Sequence, residues 1–254
     1  MSDKVLDKLV EMSREIGRPE NDFVIIGEGN TSAKCDDGTF YVKGSGKCLA
    51  QSDKDTFVKV VHQKALDVMD AGELSDSEIK DALFACCADP ENTTRPSVET
   101  TFHAYLLSLP GVNFVAHTHA TACNKILCSE KAEEIYKSRI FPDEIAVCGP
   151  EPIYVPYTDP GLTLSRTIRA KVTAYREKHG TNPKLILMQN HGIIAVGASA
   201  NECVSITAMA VKTARVLFGA YCLGGARYFT EENVNRIYTR PDELYRMKQF
   251  AEEK

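Results

Sequence analysis

The 254-residue sequence has no long apolar run, no net positive charge and no Cys-x-x-Cys pair. No run approaches the roughly 18 apolar residues that suggest a membrane span, and residues 1–20 mix charges with apolar residues, unlike a secretory signal. The formal net charge of -5 argues against a general nucleic-acid binder, which would concentrate positive charge to meet phosphates. We therefore expect neither a membrane nor a nucleic acid as a partner, whereas a small anionic ligand needs only a local site.

Cysteine usage indicates a reducing compartment. The nine cysteines are scattered along the chain, and their odd number does not suggest a framework of disulfides. Buried or half-buried free thiols are the simpler interpretation. With no secretory signal in the sequence, this predicts a cytoplasmic protein.

Helical and strand patterns alternate along the chain. Apolar spacings of three and four, together with caps and glycine stops, predict helices over residues 3–16, 53–71, 120–128, 162–179 and 199–222, and one starting near Ser97. Strands are predicted at 23–26, 39–43, 112–119, 184–189 and 193–196. With no internal repeat or low-complexity linker, this order predicts a single α/β domain over residues 1–254, a mixed sheet covered by helices.

Three histidines predict a metal site. His117 and His119 are two residues apart on a predicted strand, so their side chains project from the same face. His191 interrupts two apolar strand-like runs, where a core would not require a polar ring, and Gly192 would let the backbone turn sharply there. Three neutral imidazoles suit a catalytic zinc that keeps one position open for water or substrate.

Other interpretations of single residues stay open. A lone His-x-His pair is often present for packing or solubility. His103 lies four residues after Glu99 and hence on the same helix face, but a hydrogen-bonded structural histidine is the more common outcome. Glu99 would fall in the first turn of its helix, where the helix dipole stabilises a carboxylate without any catalytic role.

Four segments together resemble the class II aldolase and adducin-type family. They are GEGNTSAK at 27–34, KGSG at 43–46, RPSVETTFH at 95–103 with HTH at 117–119, and NHGIIAVG at 190–197. Their order is that of the family, which includes fuculose-phosphate and rhamnulose-phosphate aldolases and a ribulose-phosphate epimerase. The resemblance implies a three-layer α/β/α domain around a mixed, largely antiparallel sheet, and it is more specific for the family than for the reaction.

The resemblance also implies roles for individual residues. His117, His119 and His191 would hold the metal, expected to be Zn²⁺ with Mn²⁺ or Co²⁺ as alternatives, and Glu99 would be the acid/base residue. The substrate phosphate would be bound by Asn30, Thr31, Ser32, Gly44, Ser45 and Ser97. Backbone N–H groups in glycine turns and at a helix N-terminus can face an anion, although each of these residues alone is more often an ordinary turn or cap.

Two departures from known motifs stand out. Val98 replaces the second serine found before the glutamate in fuculose-phosphate aldolases. The Gly46-Lys47 pair does not form a P-loop, because Cys48 stands where Ser or Thr is required. In addition, family aldolases take a proton-donating tyrosine from a neighbouring subunit, and none of Tyr136, Tyr154, Tyr221 and Tyr228 aligns to it with assurance.

The expected function is cleavage of a ketose 1-phosphate into dihydroxyacetone phosphate and an aldehyde through a metal-stabilised enediolate. The partner would be a small phosphorylated sugar, and the resemblance implies a homotetramer with sites at subunit interfaces. An epimerase, dehydratase or decarboxylase on the same scaffold is the alternative. A third alternative is an adducin-like, non-catalytic module. The intact histidines and Glu99 argue against it.

Overall fold

The computed structural model describes residues 2–251 and is built on one seven-stranded sheet. Its strands are β1 (Asn30–Lys34), β2 (Thr39–Lys43), β3 (Phe57–Val61), β4 (Phe114–Thr118), β5 (Ile153–Val155), β6 (Leu185–Met188) and β7 (Gly192–Gly197). They pair in the order β3-β2-β1-β4-β7-β6-β5. The β5–β6 pair is parallel and the others are antiparallel, so the predicted mixed, largely antiparallel sheet is confirmed.

Helices cover both faces of this sheet. They are α1 (Ser2–Ile16), α2 (His62–Asp70), α3 (Asp76–Phe84), α4 (Thr100–Ser108), α5 (Thr121–Leu127), α6 (Ala132–Ile135), α7 (Pro142–Cys148), α8 (Leu162–His179), α9 (Ala200–Cys222), α10 (Glu231–Tyr238) and α11 (Pro241–Ala251). One core lies between the sheet and α1, α5, α7 and α9, and a second lies between the sheet and α2, α4 and α8. Two cores on opposite faces of one sheet make the predicted three-layer α/β/α arrangement.

The side chains of strand β4 alternate between the two cores. Phe114 and Ala116 face the α1/α9 side, whereas Val115 faces the α4/α8 side. All five residues of β4 are buried because β4 lies between β1 and β7 in the middle of the sheet. The alternation places His117 on the α4 side, where its ring contacts Phe102 edge-on at a centroid distance of 5.9 Å.

Two predicted elements are wrong. Residues 23–26 form no strand and lead into a turn over residues 25–28, in which the Ile25 N–H donates to Glu28 Oε2 (3.0 Å) and Ile26 has a φ of 53°. The predicted helix over 53–71 is divided, because Val58 and Val60 alternate into the α4/α8 core as part of β3 and α2 starts only at His62.

Helix α9 is long and apolar enough, by length and composition alone, to cross a membrane, although no single apolar run in it suggested this. Its Ser199 hydroxyl accepts a hydrogen bond from the Glu202 N–H (3.2 Å) and caps the start of this helix. Cys203, Ile206 and Ala210 pack into the α1/α9 core. These contacts are those of a core helix, so the composition of α9 is weak evidence for a membrane span.

The nine cysteines are free thiols. Seven are buried or half-buried, as expected, whereas Cys128 and Cys222 are exposed. Burial raises the pKa of Cys123 and Cys148 to about 12, so these two thiols remain protonated and behave as small apolar core residues.

Candidate metal centre

Three histidines from distant parts of the sequence meet at one end of β4 and β7. His117 lies on β4, His119 directly follows that strand, and His191 precedes β7. Because His117 pairs with Ile194 in the β4–β7 register, the start of β7 lies beside the end of β4. The candidate ligand atoms of the three rings all lie within 4.8 Å of one another.

Hydrogen bonding orients the rings for a cation. The His117 Nδ1–H donates to the Ile193 carbonyl (2.9 Å), which leaves the lone pair on Nε2. This Nε2 lies 2.9 Å from Nε2 of His119. Burial lowers the pKa of His117 to about 4, and burial together with the neighbouring rings of His117 and His191 does the same for His119. Both rings are therefore neutral near pH 7, as metal ligands must be, and this donor set fits a divalent ion.

The turn that carries His191 differs from the predicted one. The left-handed residue is Asn190, with a φ of 54°, and Gly192 is already part of β7. Gly192 is required for a different reason: a Cβ there would lie 2.3 Å from the Thr118 carbonyl oxygen and 3.0 Å from the His119 ring. Glycine therefore lets the two strand ends that carry the histidines approach closely.

Glu99 lies against the histidines. It occupies the N-cap position of α4, one residue before the first turn in which the sequence placed it, and it is 6 % exposed. Its Oε2 is 3.4 Å from His117 Nε2, and its Oε1 is 3.3 Å from His191 Nε2. Burial acts to raise the pKa of Glu99, but the facing imidazoles and the Asn30 amide outweigh it and hold this pKa well below its usual value. A carboxylate is thus held beside the candidate metal centre.

Some of the predicted phosphate-binding residues come together near Glu99. The turn at Gly44 forms a β-bridge with Pro96, and the Ser97 N–H donates to the Lys43 carbonyl (3.2 Å). Gly44, Ser45 and Ser97 are therefore neighbours, with Ser45 exposed. Their role in phosphate binding stays a prediction.

The other predicted phosphate residues are engaged elsewhere. Thr31 points to the opposite face of β1, because side chains alternate along a strand, and its buried hydroxyl shares a hydrogen bond with Ser13 (2.7 Å). Ser32 is also buried, and its hydroxyl bonds to His103 (2.7 Å). The Asn30 amide is bonded to Glu99, Ser97 and His103. The Thr31 side chain thus lies away from the Gly44 turn, and a role for Thr31 in phosphate binding stays a prediction.

The turn itself offers fewer backbone donors than its sequence suggested. The N–H of Gly44 donates to the Thr56 carbonyl and that of Ser45 to the Arg95 carbonyl, both at 2.8 Å. An anion here would therefore depend on side chains and on N–H groups other than these two.

Lys43 supplies a positive charge that the sequence analysis did not assign. It is 2 % exposed, and its Nζ donates to the carbonyls of Gly27 (2.8 Å) and Lys47 (2.6 Å), so it links the two glycine turns. Burial lowers its pKa to about 8, and nearby Cys48 and Glu99 partly offset this. A lysine at the end of a strand directly before Gly-Ser-Gly was the signal that could have identified it.

A pocket of about 300 Å³ opens beside His119. Its lining consists of Asp22, Val24, Ile25, Glu28, His119, Thr121, Asn124 and Lys125. None of the four tyrosines considered as proton donors is in this lining. Tyr221 and Tyr228 instead hydrogen-bond to each other (2.9 Å), and Tyr136 is buried.

The fold and the donor set define a class of protein: an α/β/α domain with three neutral imidazoles and a buried carboxylate suited to a divalent metal. Residues 7–218 match the family model described as the Class II Aldolase and Adducin N-terminal domain. The chain belongs to this family, whose aldolases depend on a metal.

Relatives and solved structures agree with this placement. The chain is 30 % identical over 223 residues to the uncharacterized oxidoreductase YuxG of Bacillus subtilis (strain 168), a match that covers 83 % of this chain and 29 % of that relative. The structure is similar to the N-terminal class II aldolase domain of a conserved protein from Thermoplasma acidophilum, with a TM-score of 0.66, 26 % identity and coverage of 84 % and 93 % of the two chains. It is also similar to an L-fuculose 1-phosphate aldolase, with a TM-score of 0.69, 16 % identity and coverage of 94 % and 96 %. This last likeness shows the fold alone.

Proposed function

We propose that this protein is a metal-dependent aldolase that cleaves a ketose 1-phosphate into dihydroxyacetone phosphate and an aldehyde. The observation that carries the proposal is the placement of the buried Glu99 carboxylate, with its two oxygens 3.4 Å and 3.3 Å from the candidate ligands His117 and His191. An adducin-like structural module has no need for such a costly buried arrangement of charge and imidazole. We expect the ion to be zinc, with manganese or cobalt as alternatives.

The metal ion and the protein residues would have different roles in the reaction. A bound divalent ion would supply a positive charge to stabilise the electrons left when the carbon–carbon bond beside the ketone breaks. Glu99 would carry the proton to and from the reacting carbon, because its carboxylate is the acid/base group beside the three histidines. Its burial excludes bulk water, which strengthens electrostatic interactions at this position.

A positive charge beside the Gly44–Lys47 turn supports a phosphorylated substrate. Lys43 is charged in most molecules near pH 7, since its pKa is about 8, and it lies at the base of the Gly44–Lys47 turn next to Ser97. The phosphate would bind against this turn and the reacting carbon against Glu99. The pocket beside His119 would then accept the aldehyde half of the substrate.

The neighbouring subunit would complete the site. No tyrosine is among the residues that line the pocket beside His119, so a proton donor of this type would have to come from outside that lining. From the family resemblance we expect a homotetramer with active sites at subunit interfaces, and we propose that the enzyme is cytoplasmic.

A substrate panel tests this proposal. The zinc-loaded protein is incubated with ketose 1-phosphates and with a keto-acid phosphate, and aldehyde, dihydroxyacetone phosphate and carbon dioxide are measured. We expect aldehyde and dihydroxyacetone phosphate in equal amounts from at least one ketose. Release of carbon dioxide alone would identify a decarboxylase, and interconversion of ketoses without aldehyde would identify an epimerase.

Glu99→Gln tests the proton carrier on the ketose that is cleaved. We expect kcat to fall about 100-fold or more, because general acid–base catalysis typically contributes about 10²–10⁴-fold, while the metal content is unchanged. Near-normal turnover by a fully metal-loaded Glu99→Gln would show that another group moves the proton.

A further inference from the structure

We propose that His103 is a positioning residue that acts through Asn30 to hold one oxygen of Glu99 and leave the other, beside His191, for proton exchange. The proposal deepens the function above and rests on the role given there to Glu99. It is carried by a buried chain of hydrogen bonds that joins Ser32, His103, Asn30 and Glu99.

The direction in which hydrogen bonds are donated along this chain follows from the Glu99 carboxylate at its end. An ionised carboxylate only accepts hydrogen bonds, so the Asn30 amide must present its NH₂ group to Glu99 Oε2 (2.7 Å). The same amide NH₂ donates to the Ser97 hydroxyl oxygen (3.1 Å). The carbonyl oxygen of the Asn30 side chain is thereby turned to His103 Nε2, to which it is hydrogen-bonded.

The tautomer of His103 is then determined. The side-chain carbonyl of Asn30 can only accept, so His103 must carry its proton on Nε2. Burial lowers the pKa of His103 to about 3, so the ring is neutral near pH 7 and its Nδ1 has no proton. Nδ1 therefore accepts from the Ser32 hydroxyl (2.7 Å). Every donor in the chain points toward Glu99, and reversing the Asn30 amide would set acceptor against acceptor at Glu99 and donor against donor at His103.

The two oxygens of Glu99 are consequently different. Oε2 is anchored by Asn30, whereas Oε1 is buried and, within the described part of the chain, has no hydrogen-bond partner. Both oxygens face candidate ligands, since Oε2 is 3.4 Å from His117 Nε2 and Oε1 is 3.3 Å from His191 Nε2. A buried carboxylate oxygen without a hydrogen-bond partner is unfavourable unless it binds a ligand or a proton during the reaction. Oε1 is thus the oxygen placed to exchange a proton with substrate.

A purely structural histidine would not need this arrangement. His62, for example, is half-buried and uses Nε2 to bond the Ala104 carbonyl (2.7 Å), with no further hydrogen bond from that side chain toward the site. His103 is fully buried, stacks on Phe102 at a centroid distance of 4.6 Å, and uses both ring nitrogens in a chain that ends on Glu99.

Two substitutions of His103 distinguish the contribution of its Nε2 from that of its Nδ1. In His103→Gln the amide NH₂ can occupy the position of Nε2 and still donate to Asn30, whereas in His103→Asn the shorter side chain cannot. Both variants are uncharged and polar. With the ketose cleaved by the wild type, we expect His103→Asn to lose about tenfold or more in kcat with KM changed less than about threefold, and His103→Gln to keep most of kcat.

The control variant is His62→Asn, whose shorter side chain loses the Nε2 hydrogen bond to the Ala104 carbonyl, away from Glu99. We expect its kcat to match the wild type even if its melting temperature falls. Metal content, measured on all variants, should be unchanged. Equal loss of kcat in His103→Asn and His103→Gln, or a kcat for His103→Asn within twofold of the wild type, would overturn the positioning role.

A measurement on the wild-type protein keeps the proposal testable if the variants fail to fold or if no ketose is cleaved. In ¹⁵N-histidine-labelled protein, long-range ¹H–¹⁵N correlation spectra report the tautomer of each ring. We expect His103 as the neutral Nε2–H form from pH 5 to 8, with slowly exchanging Nε2–H. The Nδ1–H tautomer or a protonated ring would contradict the chain, whatever the enzyme's reaction proves to be.

Discussion

At the scale of single residues, the candidate metal ligands were easier to predict from the sequence than the residues that position other side chains of the site. His117 and His119 are identified by their spacing on one strand, and His191 by its place in an apolar context. By contrast, His103 bonds to a partner that no local pattern reveals. The His103 partner Asn30 is 73 positions away in the chain and meets it only because β1 packs against α4.

The predicted anion site gives a residue-scale prediction with an internal control. Ser45→Ala removes an exposed hydroxyl at the Gly44–Lys47 turn, whereas Thr31→Val removes a hydroxyl that bonds to Ser13 on the other face of β1. We expect Ser45→Ala to raise KM for the phosphorylated ketose about 10- to 100-fold, since a hydrogen bond to a charged group contributes about 1.5–3 kcal/mol. Thr31→Val should leave KM unchanged and lower stability by about 1 kcal/mol. The reverse pattern in steady-state kinetics would place the anion on the Thr31 side.

At the scale of secondary-structure elements, the sequence predicted best where a local stop signal is present. The helix over 162–179 is confirmed as α8, because Gly180 adopts a left-handed conformation with a φ of 67° and ends it. The strand predicted at 23–26 is wrong, because that prediction rested on apolar composition and not on a local stop signal. Four consecutive apolar residues suggested a buried strand, but Ile25 and Ile26 are 59 % and 84 % exposed in a turn beside the pocket. Apolar composition alone does not distinguish a core strand from an exposed functional loop.

The close approach of β4 and β7 gives a prediction at this scale. Gly192→Ala would place a methyl group 2.3 Å from the Thr118 carbonyl oxygen, so the strand ends must separate and the three histidines with them. We expect metal affinity to fall about 10- to 100-fold, as it does when groups that orient ligands are disturbed. Gly219→Ala is the matched control, because nothing lies within 4 Å of its added Cβ and alanine favours a helix by about 1 kcal/mol. Isothermal titration with Zn²⁺ compares the two, and equal affinities would show that the strand ends tolerate the methyl group.

At the scale of the whole molecule, the sequence predicted the three-layer class but not the sheet order. Patterns of helices and strands indicate which faces are apolar, whereas strand order depends on pairing between segments far apart in sequence. The antiparallel neighbours β1, β4 and β7 bring Asn30, His117 and His191 to one end of the sheet. Glu99 joins them because α4 begins beside β1 and β2. The site is therefore a product of the complete fold.

The measurement that tests the central claim most directly is the metal content of the purified protein after metal removal and reloading with Zn²⁺. We expect about one ion per chain in the wild type. The ion should be lost in His191→Ala and retained in His179→Ala, whose ring instead bonds Glu151 at 2.8 Å. A wild type that binds no stoichiometric ion, or equal zinc content in the two variants, would contradict convergence of the three histidines on one cation.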